Sequence, residues 1–490
     1  MGLKVDSSFL RFLTMGALGV RQVAAELKGR GFEPIELERY CTSNKIWATK
    51  VKRLRLPDLL CVRTGLRVEV RAKSDLKIRM SDAPNNPDRV WDAGLRDEDV
   101  VALIACVNGA SSPRTAAGAV YFTARALRDS AAQSKLGPPK SASEGAERDR
   151  TWPAVIPSRP GRVLSVSRDK LVVMMEGDGA PARKQTYTLN GKYAYVVSDD
   201  RFAADITILA GAPRSLADLN AYRGNAYRPL DQVGAASAMD RYAAVKALRF
   251  RADLHRHALP ALERVLDSEH EVRVVLEAAG SAAVLGSTKG QERISAVLWD
   301  DASTEMSMEA ILILTELKTA FARDQLRQVA SSERFHGDER RQAAIWGLGK
   351  AGLNSYSDLV PLIGDVEENV AYHAIVAFGP DTPKPVIEML VGILVRDEPR
   401  SASAASEALR TIGTRGVLEC LVEAEKTKAG NTNWVVATIG RLPPEMVRAY
   451  LKGTPLLDRL EPMLLLAADA NWLANEEAAT DIAFLHKQGL

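Results

Sequence analysis

Apolar residues follow helical spacing at the start of the chain and then change to the period of two that is typical of β-strands. The helical pattern ends at Gly31 and predicts one amphipathic helix. Its apolar face consists of Leu13, Val20, Val23, Ala24 and Leu27. The later patterns predict short strands within Phe32–Tyr40, Leu59–Arg63, Arg67–Lys73, Val100–Val107 and Ala119–Thr123. With a further helix starting at Thr123, this order predicts an α/β domain over residues 1–130.

The chain between residues 131 and 237 has a different pattern. Residues 131–151 are rich in Ser, Ala, Gly, Pro and charge without apolar periodicity, which is typical of a flexible linker. Residues 152–211 contain several short apolar runs separated by turns, which predicts a small all-β barrel. Residues 212–237 then serve as a connector to the last region.

Residues 238–490 are predicted to be helical and repetitive. Segments of small and apolar residues recur at intervals of 36, 33, 30 and 33 residues, and several follow short acidic turns such as DSEHEVR and GDVEENV. The markers of these intervals are Leu276, Leu312, Ile345, Ile375 and Ala408. Ankyrin and tetratricopeptide signatures are absent, so the pattern favours an all-α HEAT-like solenoid, in which stacked helix pairs share a core. The whole chain is thus predicted to be a multidomain α+β protein.

Within the first region, the segment Leu56–Lys73 places two carboxylates in a pattern that suits metal chemistry. Asp58 follows a proline at the start of one strand, and Glu69 lies on the next strand after a tight turn. The period of two puts the charged residues of the second strand on one face. These residues are Glu69, Arg71 and Lys73. Two carboxylates on adjacent strands can hold Mg²⁺, and a nearby cation can stabilise a phosphate under attack.

This arrangement resembles the PD-(D/E)xK nuclease superfamily, the restriction-endonuclease-like fold that includes archaeal Holliday junction resolvases. The resemblance covers residues 1–130 and includes the preceding helix and the order of the strands. It implies a restriction-endonuclease-like α/β core in which Asp58 and Glu69 hold Mg²⁺ or Mn²⁺. It also implies that Lys73 or Arg71 supplies the catalytic cation for hydrolysis of phosphodiester bonds.

Two positions depart from the superfamily pattern. Arg71 stands where the Glu-x-Lys motif has its lysine, and Lys73 follows two positions later on the same strand face. Because arginine does not give up its proton, Arg71 would orient a phosphate but would be a poor base. Resolvase-like members also often have a glutamate near the start of the first helix. The matching turn GALGV has none, and Gln22 and Glu26 are the nearest polar residues.

Positive charge is concentrated near the motif. The whole chain has 65 Lys or Arg and 62 Asp or Glu, whereas residues 1–80 have 17 against 8, a net charge of +9. The densest run, with Trp47 inside it, comprises Lys45, Lys50, Lys52, Arg53 and Arg55. Such a run can neutralise DNA phosphates, although a solvated loop would show the same composition. Arginines of the repeats offer a second DNA surface, namely Arg249, Arg251, Arg340 and Arg341.

Composition limits the remaining classes. The chain has 490 residues, of which 46% are apolar and 26% charged, as in ordinary globular proteins. Its cysteines lack CxxC spacing, so we expect neither a disulfide framework nor structural zinc, and a reducing cytoplasm suits them. They are Cys41, Cys61, Cys106 and Cys420. No signal pattern and no apolar run of about 18 residues is present, so we expect no membrane partner.

The sequence therefore leads us to expect a magnesium-dependent DNA endonuclease, with a role in bacterial restriction or anti-phage defence by analogy of architecture. The solenoid would bind a protein partner or a second copy of the chain. Two alternatives remain open. One is a catalytically silent DNA-binding adaptor, which the arginine departure allows, and the other is a protein-interaction scaffold built on the repeats.

Overall fold

A computed structural model forms two compact units, each described here by itself. The sheet unit comprises Asp6–Ser43 and Lys52–Ser287, and the repeat unit comprises Met1–Val5, Asn44–Val51 and Thr288–Leu490. The structure describes residues 7–37, 46–49, 51, 54–74, 77–108, 113–115, 118–140, 146–155, 161–167, 170–175, 182–188, 194–197, 206–209, 217–350, 355–396, 398–428, 430–464, 482 and 485.

The sheet unit begins with helix α1 (Ser7–Gly29), and a short helix α2 (Ala124–Asp129) follows the first strands. The strands of this unit are β1 (Pro34–Glu36), β2 (Leu59–Cys61), β3 (Arg67–Lys73), β4 (Lys77–Asp82), β5 (Val100–Asn108), β6 (Pro113–Thr115), β7 (Val120–Thr123), β8 (Lys135–Pro139), β9 (Arg148–Val155), β10 (Gly161–Val166), β11 (Lys170–Met175), β12 (Arg183–Thr188), β13 (Ala194–Val197) and β14 (Ile206–Leu209). The helix and strands expected in residues 1–130 therefore lie where the apolar pattern placed them.

A mixed sheet is the centre of the sheet unit. Its strand order is β1-β2-β3-β5-β6, and β7 also pairs with β5. Strand β2 runs antiparallel to both β1 and β3, whereas β3 and β5 run parallel. Because a parallel neighbour needs a crossover, the chain between β3 and β5 leaves this sheet and contributes β4 to another one.

Helix α1 covers one face of the mixed sheet because its apolar stripe matches the inward positions of the strands. Val23 and Leu27 of the helix are fully buried against Val68 on β3. The approach is close at Gly19, where an added Cβ would lie 2.9 Å from the Cβ of Ala72. The opposite face packs on a separate apolar cluster. That cluster includes Val101, Leu103, Trp91, Phe122 and Trp152.

Residues 152–211 do not form the expected barrel in the part of the chain that the structure describes. Strands β10, β11 and β12 make an open antiparallel sheet. Strands β13 and β14 belong to a different sheet, in which β4, β8 and β14 all pair with β9. The barrel prediction is therefore wrong, because the apolar runs are shared between two sheets and one sheet recruits strands from outside the segment.

Part of the segment that we expected to be a linker forms strand β8 and the start of β9. Buried Trp152 on β9 explains why this segment packs. Its ring lies 5.2 Å from the ring of Trp91, and its Nε1 donates a hydrogen bond of 3.0 Å to Ser130. The packing of Trp152 therefore stabilises an ordered structure in a segment whose composition resembles that of a linker.

One connector helix and the first helices of the repetitive region belong to the sheet unit. They are α3 (Pro229–Gln232), α4 (Ala238–Leu248), α5 (His255–Ser268) and α6 (Val272–Val284). Fully buried Lys246 on α4 donates to the carbonyl oxygen of Leu37 at 3.2 Å, and Arg251 donates to that of Val62 at 3.0 Å. These cations bind backbone oxygens next to β1 and β2, which joins the helices to the mixed sheet.

The repeat unit is built from stacked helices. Of the described helices, α8, α10, α12, α14, α16 and α18 pack in order as one layer, and the helices between them pack on it as a second layer. The unit contains α7 (Thr288–Leu298), α8 (Thr304–Leu317), α9 (Ala320–Ser331), α10 (Glu339–Leu348), α11 (Tyr356–Leu359), α12 (Glu368–Val376), α13 (Lys384–Leu394), α14 (Pro399–Ile412), α15 (Arg415–Lys426), α16 (Thr432–Gly440), α17 (Pro444–Leu451) and α18 (Pro455–Leu464). This is a helical-repeat architecture, as the periodicity predicted.

Each of two acidic turns precedes a repeat helix and forms an ion pair with an arginine that lies two helices earlier in the chain. In the repeat unit, Arg341 on α10 pairs with Asp365 at 2.5 Å and with Glu367, both in the turn GDVEENV. In the sheet unit, Arg241 on α4 donates to Glu269 at 3.1 Å, in the turn DSEHEVR. These nearly buried pairs fix how far apart neighbouring helices lie, which accounts for the recurrence of the turns in the sequence.

The arginines of the repeats do not form the DNA surface that we considered. Arg249, Arg251, Arg340 and Arg341 are each at most 9% exposed. Arg249 lies 3.2 Å from Glu277, and Arg340 lies 2.7 Å from Asp338. Each guanidinium is therefore engaged inside its own unit.

A further buried ion pair joins β3 to the loop before β5. Arg67 lies 3.1 Å from Asp99, and the two side chains are 5% and 2% exposed. Burial raises the pKa of Asp99 from its ordinary value of 3.8 to about 6, although Arg67 opposes the rise. Between these two pH values the folded chain thus binds more protons at this carboxyl than the unfolded chain does. Its contribution to stability is lost as the pH rises from about 4 through about 6.

We expect Arg67→Met to lower the free energy of unfolding by about 3–5 kcal/mol well above pH 6, because Asp99 would remain buried without its cation. The loss should be smaller below pH 6, where Asp99 is protonated. Urea unfolding of the full chain at both pH values measures this difference. The double variant Arg67→Met with Asp99→Asn should show no such pH dependence. An equal loss for Arg67→Met at both pH values would contradict the assignment.

Candidate functional site

The strand register brings Asp58 and Glu69 to the same position on adjacent strands. Leu59 on β2 pairs with Val68 on β3 in an antiparallel ladder. One residue further along, Asp58 precedes Leu59 and Glu69 follows Val68, so the two acidic residues lie across from each other.

The Asp58 carboxylate has a structural role in the sheet. Its side chain is 7% exposed, and its Oδ2 accepts a hydrogen bond of 2.7 Å from the backbone N–H of Val70. The carbonyl oxygen of Asp58 also accepts a hydrogen bond of 2.8 Å from Leu37 N. The side chain therefore continues the ladder for one more bond at the point where β2 begins, and this holds the carboxylate at the strand edge.

Glu69, Arg71 and Lys73 lie on the face of β3 that is opposite to helix α1. Their register partners on β5 are Val101, Leu103 and Ala105, which belong to the apolar cluster on that face. The Glu69 carboxylate is 14% exposed and lies 2.9 Å from the Arg71 guanidinium. Lys73 is half-buried, one step further along the same face. Arg71 is thus placed to hold Glu69, and Lys73 lies toward the end of the strand.

The site contains two acidic residues, Asp58 and Glu69. Among the described residues, no group of three or more His, Cys, Asp or Glu side chains could hold a metal ion. Mg²⁺ is commonly bound in proteins through one or two carboxylates, with water and substrate phosphate as the other ligands. Asp58 and Glu69 alone would therefore leave most of the coordination of a divalent ion to water or to a bound substrate.

The two polar residues of helix α1 that the sequence offered, Gln22 and Glu26, lie away from the site. Glu26 accepts hydrogen bonds from Tyr121 Oη at 2.8 Å and from Ala119 N at 3.1 Å, and Gln22 donates to Glu26 at 3.3 Å. Ala119 and Tyr121 pack in the apolar cluster under α1. Gln22 and Glu26 therefore lie on the opposite face of the sheet from Glu69.

The structure tests only part of the basic run. Arg55 is exposed and has a left-handed backbone, with φ 58°. Gly94 allows this turn, because an added Cβ at that position would lie 2.0 Å from the carbonyl oxygen of Arg55. Four residues of the run lie outside the described residues, namely Lys45, Lys50, Lys52 and Arg53.

The middle of the basic run contains a feature that sequence reasoning missed. Ile46 and Trp47 are fully buried, and the segment that contains them belongs to the repeat unit. The Trp47 ring lies 6.0 Å from the ring of Trp346 and 5.7 Å from that of His373. Trp47 is therefore not available to stack on DNA bases. The signal was present as an adjacent Ile-Trp pair inside a charged stretch.

Of the three cysteines that the structure describes, Cys420 is half-buried and burial raises the pKa of its thiol, and the other two are buried more deeply. Cys61 and Cys106 are buried, and burial raises their pKa values to about 12 and about 11. Both side chains are therefore neutral thiols at physiological pH. Cys41 lies outside the described residues.

None of the described helices is long and apolar enough to cross a bilayer.

Comparison with solved structures finds likeness to helical proteins. No family model and no curated protein matches the chain. Human deoxyhypusine hydroxylase is 16% identical, with a TM-score of 0.21 over 49% of this chain and 98% of its own. The CpcE and CpcF complex of phycocyanin lyase from Nostoc sp. is 18% identical, with a TM-score of 0.25 over 51% of this chain and 98% of its own. A designed armadillo repeat protein is 14% identical, with a TM-score of 0.21 over 54% and 98%. Such TM-scores support no argument about function.

We expect Asp58→Ala to lower the free energy of unfolding by about 1–3 kcal/mol, because the buried Val70 N–H would lose its acceptor. Asp58→Asn keeps an amide oxygen at the same place and should unfold within about 0.5 kcal/mol of the unchanged chain. Thermal and urea unfolding of the full chain measure both effects. Equal stability of the alanine and asparagine variants would show that the hydrogen bond to Val70 contributes nothing.

Proposed function

We propose that the sheet unit carries a metal-dependent endonuclease site that hydrolyses DNA phosphodiester bonds. The observation that supports this most strongly is the position of Asp58 across from Glu69 on adjacent antiparallel strands. The order of helix α1 and the strands, with α1 packed on the face of the sheet opposite to Glu69, supports the proposal. The class of reaction rests on the PD-(D/E)xK resemblance.

In this proposal, Asp58 and Glu69 would hold one Mg²⁺ or Mn²⁺ ion. When bound, the ion would act as a Lewis acid on the phosphate and lower the pKa of a nearby water. Lys73 would stabilise the negative charge that develops on the phosphate oxygens during attack. Arg71 would keep the Glu69 carboxylate in place through their ion pair. The hydrogen bond from Val70 would do the same for Asp58.

Two observations favour other functions. Asp58 and Glu69 both have protein partners, which also suits a silent DNA-binding domain whose carboxylates only stabilise the sheet. The stacked helices of the repeat unit suit a scaffold that binds proteins. Cleavage separates the first proposal from both alternatives, and a DNA-binding titration separates the two alternatives from each other.

We expect Asp58→Asn and Glu69→Gln to abolish magnesium-dependent nicking of supercoiled plasmid while the chain stays folded, because each removes a charge that the ion needs. Plasmid gels with Mg²⁺ or with a chelator measure this loss. The matched control is Glu33→Gln, which changes an exposed carboxylate outside the site. Nicking that persists in both variants, or that never requires a divalent metal, would contradict the proposed site.

We expect Lys73→Ala to lose about 10²-fold or more in cleavage rate, since it removes a charge aimed at the phosphate. Arg71→Lys restores the Glu-x-Lys pattern and should keep most of the activity. Single-turnover rates on a labelled duplex measure both variants. An inactive Arg71→Lys variant together with an active Lys73→Ala variant would assign the catalytic cation to Arg71.

A further inference from the structure

The segment Ile46–Thr49 is separated from the rest of the repeat unit by a long stretch of sequence. It comes from the first part of the chain, whereas the helices that it contacts begin at Thr288. Its contacts to Glu339 span 291 and 290 residues. A short segment thus packs among helices that are distant from it in the sequence. In this respect it resembles a peptide bound to a receptor.

Glu339, the first residue of α10, binds the backbone of this segment. One carboxylate oxygen accepts a hydrogen bond of 2.9 Å from Ala48 N, and the other accepts one of 2.8 Å from Thr49 N. Two consecutive N–H groups on one ionised carboxylate form a charge-assisted anchor. Because the carboxylate binds backbone N–H groups, the contact does not depend on the side chains at these two positions.

Trp47 supplies the side-chain part of the recognition. The indole ring packs edge-on to Trp346 on α10 and at a tilt to His373 on α12. A small apolar pocket lies beside it and is lined in part by Ile46 and by residues from the end of the chain. Those residues are Ile482 and Leu485, both 2% exposed. Many receptors bind short peptides through one buried aromatic side chain next to hydrogen bonds with the peptide backbone.

We infer that helices α10 and α12 form a peptide-binding site, which the chain fills with its own Ile46–Thr49. The ligand class is an extended peptide in which an apolar residue and a tryptophan precede two residues whose backbone N–H groups reach a carboxylate. The site belongs to the repeat unit and does not depend on the nuclease proposal. A peptide of this kind supplied from outside competes with the internal segment.

The test uses the full chain and a fluorescent peptide with the sequence of Asn44–Val51, NKIWATKV. The unchanged protein should bind it weakly, because the site is already filled. Trp47→Ala weakens the internal ligand, and this variant should bind the peptide with an affinity at least about ten-fold higher than the unchanged protein. The same peptide with alanine in place of tryptophan should not bind. Fluorescence anisotropy measures all three.

A second variant tests the backbone anchor. Adding Glu339→Gln to Trp47→Ala removes one of the two carboxylate oxygens and the charge, and it should weaken peptide binding by about ten-fold. The matched control is Glu368→Gln, which changes the first residue of α12 and should leave the affinity unchanged. The inference fails if Trp47→Ala binds the peptide no better than the unchanged protein. It also fails if Trp47→Ala does not fold, because Trp47 would then be core rather than ligand.

Discussion

The antiparallel register between β2 and β3 is the constraint on which the candidate site depends. Leu59 must lie across from Val68 for the apolar positions of both strands to face helix α1. The same register carries Glu69 to the other face and sets it across from Asp58. A slip of one residue would turn Glu69 toward the helix and Val70 toward the opposite face. The hydrogen bond from Val70 N to Asp58 adds one bond to this register beyond the last strand pair.

Buried charge pairs organise the rest of the molecule. In the sheet unit, arginines and a lysine bind backbone oxygens or carboxylates where the first helices meet the sheet, and in the repeat unit the acidic turns bind arginines. Removing one partner of such a pair leaves an uncompensated buried charge, so these contacts define one arrangement of the helices more strictly than apolar packing alone. Most of the described arginines that the sequence suggested for DNA binding are instead buried and bound to carboxylates or backbone oxygens.

The sequence predicts the elements of this protein better than it predicts their partners. Periodicity located α1, the strands β2, β3 and β5, and the helical repeats, because spacing reports directly which face is buried. Strands β8 and β9 were missed because their order comes from Trp152 packing on Trp91, which is distant in sequence. Composition alone indicated a linker there. The barrel prediction failed for the same reason. The local apolar pattern shows where strands lie but does not show which strands pair with each other.

The candidate site shows the same division. The proline-aspartate and the charged face of β3 were readable, and the backbone brings Asp58 and Glu69 together. The ion pair of Glu69 with Arg71 and the hydrogen bond of Asp58 depend on rotamers and neighbours that no local pattern encodes. The packing partners of Trp47 were equally hidden, because Trp346 and His373 lie about 300 residues away in the sequence.

The most direct test of the metal site is a titration of Mn²⁺ into the full chain with a short DNA duplex present, followed by electron paramagnetic resonance. Our account predicts one bound ion per chain that is lost in Glu69→Gln and retained in Glu33→Gln. Binding that is absent from the unchanged protein, or that is the same in both variants, would contradict a metal site at Asp58 and Glu69.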